Sequence, residues 1–319
     1  MPSQPVAEPA PTRAAVGRRL PWQVAFVVLA GIWGCSFFFI KVGLEGLNPI
    51  QVAFGRCLIG AIALVVITTV SRTRLPRSAS TWRHLFVMAA LMNVVPFILF
   101  SYGETQVSSI LAGIINGATP LSTLAVVLVA FPEEEPTPSR IVGLLIGFVG
   151  ILVVVGIWNG LGKGELPGVL ACIGAITGYG VAYPYGRRHL SGLRDGPVSL
   201  ATGQILAATL LILPLVLLSG GTAGAITAGI VLAMIGLGAL GTGVAYVLNY
   251  RIVAAAGATT ASTVTYLTPL VAILVGLIFL NEPLSWNEPL GGLVVVLGVA
   301  VSQGRLRGIG RRRRARVPA

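Results

Sequence analysis

The sequence predicts an all-α membrane protein in which ten transmembrane helices form two inverted five-helix repeats, and three observations carry that prediction. The 319 residues are 55% hydrophobic and 10% charged, with a mean hydropathy of +0.89, whereas a soluble globular chain carries about 25% charge. Apolar runs of roughly 20 residues, the length a helix needs to cross a bilayer, follow one another from residue 22 to residue 304, separated by charges or by Gly, Pro and Asn clusters. The chain also repeats itself. Asn116-Gly117-Ala118-Thr119-Pro120-Leu121 lies over Thr265-Tyr266-Leu267-Thr268-Pro269-Leu270, and Glu135-Pro136 lies over Glu282-Pro283. Gly143 and Gly150 match Gly291 and Gly298, while Gly34 and Lys41 match Gly180 and Arg187. Five crossings is an odd number, so the second copy enters the membrane upside down.

Taken in order, residues 1–21 are rich in Pro and Ala, contain the pair Arg18-Arg19, and read as a disordered cytoplasmic tail. The apolar run that follows continues past Lys41 with no A-x-A cleavage site, so it reads as an uncleaved first helix and not as a signal peptide. Helices are expected near 22–45, 50–71, 82–102, 106–131 and 139–157, then near 166–187, 197–218, 226–250, 257–280 and 286–304. The first repeat thus covers 22–157, the second 166–304, and residues 305–319 form a basic cytoplasmic tail.

Charge tests the orientation. With the N-terminus inside, all of the 22 basic residues except Lys41, Arg56 and Lys163 fall in cytoplasmic segments, as the positive-inside bias requires. The loop 72–83 is arginine-rich, whereas its counterpart 219–225 carries no charge, which fits two copies of one ancestor facing opposite ways. A multi-pass protein of the cell inner (plasma) membrane with both termini cytoplasmic is therefore expected. The net charge of +12 sits beside apolar runs and points to topology and anionic lipid, not to nucleic acid. Cys35, Cys57 and Cys172 lie within apolar runs without CxxC spacing, which supports neither a disulfide framework nor a thiolate metal site.

A proline inside a helix leaves the carbonyl four residues earlier without its partner. Pro120 and Pro269 therefore kink their helices and free the carbonyls of Asn116 and Thr265. In hydrocarbon such a group costs several kcal/mol, so each must face protein, water or ligand. One kink alone is as readily a matter of helix packing; two at matched positions of a repeat point to a central cavity. The expected substrate-binding residues are Asn116, Thr265 and Tyr266 at the breaks. Trp33, Tyr179, Tyr183 and Tyr246 are expected as polar handles in an apolar pocket, with Tyr102, Gln204, Asn249 and Tyr250 as further groups of that kind. Arg56, about one and a half turns inside the second helix, is the anion or carboxylate handle. Blander readings exist for each: packing seams for the small polar stripes, interfacial anchoring for Tyr102 and Tyr250, snorkelling for Arg56 and Lys41. Glu104 reads as a charge at the N-terminus of the fourth helix, and Glu133-Glu134-Glu135 as a solvated loop. The pairs Gly143/Gly147 and Gly174/Gly178 read as intrachain helix contacts, with a monomer or a homodimer left open.

The run Ile32-Trp33-Gly34, Lys41-Val42-Gly43-Leu44-Glu45-Gly46-Leu47-Asn48-Pro49 and Gly55-Arg56 resembles the first two helices of an EamA repeat of the drug/metabolite transporter superfamily. Gly241-Thr242-Gly243-Val244-Ala245-Tyr246, Gly257-Ala258-Thr259, Val264 to Pro269 and Asn281-Glu282-Pro283 resemble its eighth and ninth helices. The resemblance covers about residues 25 to 303. It implies two inverted EamA repeats around a central cavity, alternating access, and movement of small metabolites, usually export, with amino acids or related compounds as the leading substrates. Small multidrug relatives of the superfamily carry a membrane-embedded glutamate in their first helix for proton exchange. Here Trp33 to Phe39 occupy that stretch and no carboxylate lies deep in any predicted span, which favours facilitated or exchange transport.

Catalysis has no support. His84 and His189 are the only histidines, and there is no HExxH, no GxSxG and no carboxylate pair, so catalytic residues, metal and cofactor are all expected to be none. A secondary transporter of small metabolites, probing substrate on one side and lipid around it, is the reading that remains; an amphipathic drug or dye exporter is the alternative, and a channel or membrane scaffold lacks any filter or gate.

Overall fold

The computed structural model of the chain describes residues 21–130, 137–159, 165–190, 193, 195–221, 224–256, 261 and 263–304. Both tails, the run Glu133 to Pro136, Lys163, Arg194 and Gly257-Ala258-Thr259 lie outside the described residues. Helices make up the fold: α1 (Trp22–Gly43), α2 (Pro49–Val70), α3 (Ala79–Gly103), α4 (Ser109–Asn116), α5 (Thr119–Ala130), α6 (Pro138–Val155), α7 (Glu165–His189), α8 (Pro197–Leu218), α9 (Ala228–Ala256), α10 (Thr268–Phe279) and α11 (Asn287–Ser302). No strand occurs among the described residues. Seven of these helices are long and apolar enough to cross a membrane, α4 and α5 together make an eighth span bent by 43°, and α10 and α11 are shorter apolar helices.

Two of the expected helices are interrupted instead of merely kinked. The segment 106–131 divides at Gly117-Ala118 into α4 and α5, and the ninth segment contains a 3-10 turn, Thr263–Tyr266, before α10. Proline explains both breaks. Pro120 and Pro269 each occupy the second position of a new helix, where a missing N–H costs nothing because first-turn donors have no intrahelical acceptor. The carbonyls that the sequence reading left unpaired are met locally. Thr119 Oγ1 donates to Asn116 O at 2.7 Å, and Thr268 Oγ1 donates to Thr265 O at 2.9 Å.

Glycine sets the tightest seam. α6 and α11 cross at Gly143, Gly147 and Gly150 against Gly291, Val295 and Gly298, so close that a Cβ on Gly298 would stand 2.5 Å from Gly147 N. Any larger residue there meets backbone, which cannot swing aside, so the small-xxx-small spacing is an intrachain contact. Outward, the bundle shows Val27, Val66, Leu145, Phe148, Leu170, Leu217, Leu274 and Leu293, all exposed. That much apolar surface on one chain is what a lipid solvent requires.

One end of the bundle is tied together by side chains reaching across the sequence. Lys41 Nζ donates to Glu104 O at 2.7 Å and to Val107 O at 3.0 Å, capping α3 as a cation suits a helix C-terminus. Asn48 both forms a capping box with Gln51 at the start of α2 and donates to Ser219 O at 3.4 Å. Asn287 Nδ2 donates to Val154 O at 2.8 Å at the end of α6. Glu282 caps α4, accepting from Ser109 N at 2.9 Å, Ser109 Oγ at 2.8 Å and Ile110 N at 3.2 Å. Asn281 aims it: this residue adopts φ 51° after α10, a left-handed turn that Asn tolerates at a helix C-terminus. The N-terminus of the fourth helix is thus served by Glu282 and not by Glu104, which corrects the sequence expectation. Short connections made Glu104 the nearest acid in sequence, but α4 meets α10 in space, with Gly276 against Ile110 and Gly113 against Ala272.

Candidate functional site

The two helix breaks touch. A Cβ on Gly117 would lie 2.8 Å from Pro269 Cγ, so the interruption in one half of the chain rests on its equivalent in the other. Around this junction is a hollow lined by Trp33, Ser36, Phe37 and Ile40 of α1, Arg56 of α2, and Met92, Phe97 and Phe100 of α3. Asn116, Thr119 and Thr265 from the breaks complete it with Tyr179 and Tyr183 of α7 and Tyr246 of α9. Its volume of about 60 Å³ is several times the 10–15 Å³ that admits one water. That is room for a few waters or a very small molecule, and a larger metabolite needs the helices to part.

Seven of the eight residues expected to bind substrate line this hollow: Trp33, Arg56, Asn116, Tyr179, Tyr183, Tyr246 and Thr265. Tyr266 does not. Its hydroxyl accepts from Gln303 Nε2 beyond the end of α11; adjacent side chains of a helical turn point about 100–120° apart, so with Thr265 in the hollow Tyr266 turns away. Ser36, Phe37, Ile40, Met92, Phe97, Phe100 and Thr119 line the hollow and were not singled out; only Thr119, beside Pro120, carried a signal in the sequence. Tyr102 is exposed, as an interfacial residue would be, whereas Tyr250 turns inward to Gln204.

Arg56 is 7% exposed. Its Nε donates to Thr242 Oγ1 at 3.0 Å, and its guanidinium carbon stands 3.7 Å from the centre of the Phe97 ring. No other hydrogen bond holds it among the described residues. The acceptor Thr242 is placed by a π-helical stretch, Gly236–Val244, in α9, and α3 has its own, Ala90–Val94, just before Pro96. Proline cannot donate to the turn behind it, so the ladder resets there and carries Asn93 to the interior, 0% exposed.

From Asn93 a chain of hydrogen bonds runs to the hollow. Tyr250 Oη donates to Gln204 Oε1 at 3.0 Å, Gln204 Nε2 to Asn93 Oδ1 at 2.8 Å, and Asn93 Nδ2 to Tyr246 Oη at 2.6 Å. Because Tyr246 accepts from behind, its own proton is left to donate forward into the hollow. Tyr179 and Tyr183 hydroxyls, the Trp33 indole N–H and the Asn116 amide add further donors. Among the described residues no carboxylate lines the hollow. Such a site favours an anionic or acceptor-rich group and penalises a cation.

Among the described residues no three His, Cys, Asp or Glu side chains are grouped to hold a metal ion. The helical spans, the apolar exterior and the buried polar hollow define a multi-pass membrane protein with an internal site between its two halves. The model of the EamA-like transporter family matches residues 20–156 and 166–303, and the chain belongs to that family, with one repeat in each half. Relatives agree. It is 28% identical over 283 residues to an uncharacterized transporter of Archaeoglobus fulgidus, covering 84% of this chain and 92% of the relative. It is 26% identical over 282 residues to the uncharacterized transporter YdfC of Bacillus subtilis, covering 86% and 89%. A solved crystal structure 18% identical in sequence superposes with a TM-score of 0.64 over 90% of this chain and 98% of that one, which speaks to the fold alone. The protein is a membrane transporter of this family.

Proposed function

We propose that the protein is a secondary carrier that moves small metabolites across the cell inner membrane by alternating access around the hollow at the two helix breaks. The observation that carries this reading is the contact of Gly117 with Pro269 beside Arg56: matched interruptions of two repeats meeting at a buried, donor-rich site. In this reading ten spans, with α10 and α11 as the cores of the last two, form two inverted five-helix units at 22–157 and 166–304. The termini face the cytoplasm, which the distribution of arginine supports.

Arg56 binds the carboxylate of the substrate, with Asn116, Thr265 and Tyr246 around it and Trp33, Tyr179 and Tyr183 against its apolar part. Amino acids and related carboxylates, exported, are the leading substrates: Arg56 meets the carboxylate, and the α-ammonium of an amino acid would be left to the Asn116 amide oxygen, the tyrosine hydroxyl oxygens and the aromatic faces of the hollow. A cationic dye would face Arg56 with no acid to meet it, so the drug-exporter alternative is weaker. The end bound by Lys41, Asn48, Glu282 and Asn287 is closed. In the proposed orientation this is the outer end, so the cycle requires those ties to break.

Proteoliposomes loaded with a mixture of L-amino acids test the reading by counterflow. Saturable uptake of labelled amino acid that depends on the internal load, and that Arg56→Gln abolishes, is the expected result. Load-independent, non-saturable flux would mean a pore.

A further inference from the structure

One helical turn beyond Phe100, whose ring meets that of Phe37 with centres 5.5 Å apart, lies a carboxyl group that the hollow does not use. Glu104 follows the last turn of α3, its backbone N–H donating to Phe100 O at 2.9 Å. Its side chain is 0% exposed. Both carboxyl oxygens are buried and neither accepts a hydrogen bond. The sequence reading made this residue a charge serving the N-terminus of the fourth helix, so its burial without a partner is a correction as well as an anomaly: buried polar groups in folded proteins are nearly always paired.

Among the described residues, the charged groups that act on Glu104 are engaged elsewhere. Lys41 of α1 gives its ammonium to two backbone carbonyls, one of them that of Glu104 itself. Glu282, beyond α10, has its oxygens on the N-terminus of α4. Arg56 of α2 holds Thr242, and Cys172 of α7 is a buried thiol. An ionised carboxylate here would lose its hydration and gain no hydrogen bond in return, and in that situation a group neutralises. Burial accordingly pushes the Glu104 carboxyl well above the usual carboxylate range; Lys41 and Arg56 oppose the shift and Glu282 adds to it.

We propose that Glu104 is a proton-binding site that locks this end of the bundle. Neutral, it stays buried. When the end parts and water arrives, the carboxyl O–H bond breaks, the proton passes to that water, and the remaining carboxylate resists being buried until it is protonated again. Opening at this end is then tied to proton release, without any glutamate in α1. The part this plays in transport rests on the alternating-access reading; proton binding and its link to closure do not.

The thiol of Cys172 reports the opening. It is 0% exposed, and a Cβ on Gly103 would stand 2.6 Å from its Sγ, so it lies directly beneath the turn that carries Glu104. Alkylation of Cys172 by N-ethylmaleimide is measured by peptide mass spectrometry on the purified full chain, wild type and Glu104→Gln, across roughly pH 5 to 9. The wild-type to variant ratio at each pH divides out the thiol's own titration, and the remaining effect of the Glu104 charge on the thiol slows the wild type, against the expected direction. It is expected to rise with pH, approaching about tenfold per unit above a solvated carboxylate's pKa of about 4.3; a flat ratio overturns the proposal.

Infrared spectra of the wild type keep the test decisive if Glu104→Gln does not fold. A protonated-carboxyl band at neutral pH that survives in Glu282→Gln and Glu288→Gln supports the assignment. Absence of the band, or its loss in either variant, overturns it. If no amino acid undergoes counterflow while the alkylation ratio still rises, the transport reading fails and the proton site stands.

Discussion

Replacing Glu282 by alanine removes a carboxylate that caps α4 from a distant part of the chain, and the contacts give its cost. Its oxygens accept from Ser109 N, Ser109 Oγ and Ile110 N at 2.9, 2.8 and 3.2 Å. Hydrogen bonds to a charged acceptor contribute about 1.5–3 kcal/mol each where burial is complete, but Glu282 is only half-buried, so water replaces part of what is lost. Losing a helix cap costs about 0.5–2 kcal/mol and losing the charge at the helix dipole about 0.3–1 kcal/mol. Ser108 still accepts from Leu111 N at 3.0 Å, which keeps α4 from unwinding. A net loss of about 2–3 kcal/mol follows. Reversible unfolding in mixed detergent micelles, followed by circular dichroism, measures it, and a double-mutant cycle with Ser109→Ala should return about 1 kcal/mol of coupling. A loss below about 0.5 kcal/mol, within the range of an ordinary surface substitution, would refute the claim that Glu282 holds the two halves together at this end.

Other outcomes follow from the same geometry. Thr119→Val and Thr268→Val each leave a buried carbonyl unmet and should cost about 1–3 kcal/mol in the same unfolding assay; Thr123→Val, with its partially exposed hydroxyl, should cost less. Gly298→Leu drives a side chain into the backbone of α6 and should prevent folding or cost more than about 3 kcal/mol, read as loss of a monodisperse peak in size-exclusion chromatography. Asn93→Leu breaks the chain from Tyr250 to Tyr246 and strands Gln204, and should cost about 2–3 kcal/mol of stability. Finally, wild-type stability should fall as pH rises. The folded state holds the Glu104 proton that the unfolded state releases near pH 4.3, so each further pH unit removes up to about 1.4 kcal/mol until the raised pKa is passed. Thermal unfolding of Glu104→Gln should lack that slope.

The positions of the apolar helices were legible because their signals are local. Apolar length, the Thr-Pro pairs and the repeated Asn116 and Thr265 fixed where helices lie and where two of them break. What lies behind Thr-Pro was not legible: an interior proline suggests an orphan carbonyl, and only the side-chain rotamers of Thr119 and Thr268 show it satisfied. Tyr266 was misplaced because it was chosen for lying beside the carbonyl freed at the break, whereas adjacent side chains of a helical turn point about 100–120° apart and do not share a face. Glu104 was misread for a different reason. Sequence distance made it the natural cap of the fourth helix, whereas Glu282 takes that position from far along the chain, and nothing local to either residue announces the exchange. The phenylalanines of the hollow, Phe37, Phe97 and Phe100, sit in runs so apolar that no pattern separates lipid-facing from inward-facing rings.

The central claim is that substrate binds where the two breaks meet, and a ligand-induced thermal shift of the purified protein tests it most directly. A panel of metabolites identifies a stabilising ligand, which is then measured on Arg56→Gln, Asn116→Ala and Thr265→Ala. The ligand should carry a carboxylate, its stabilisation should vanish in Arg56→Gln, where losing a charged partner costs about 2–5 kcal/mol of binding, and it should weaken in the other two. A ligand that stabilises all three variants as much as wild type would contradict the account.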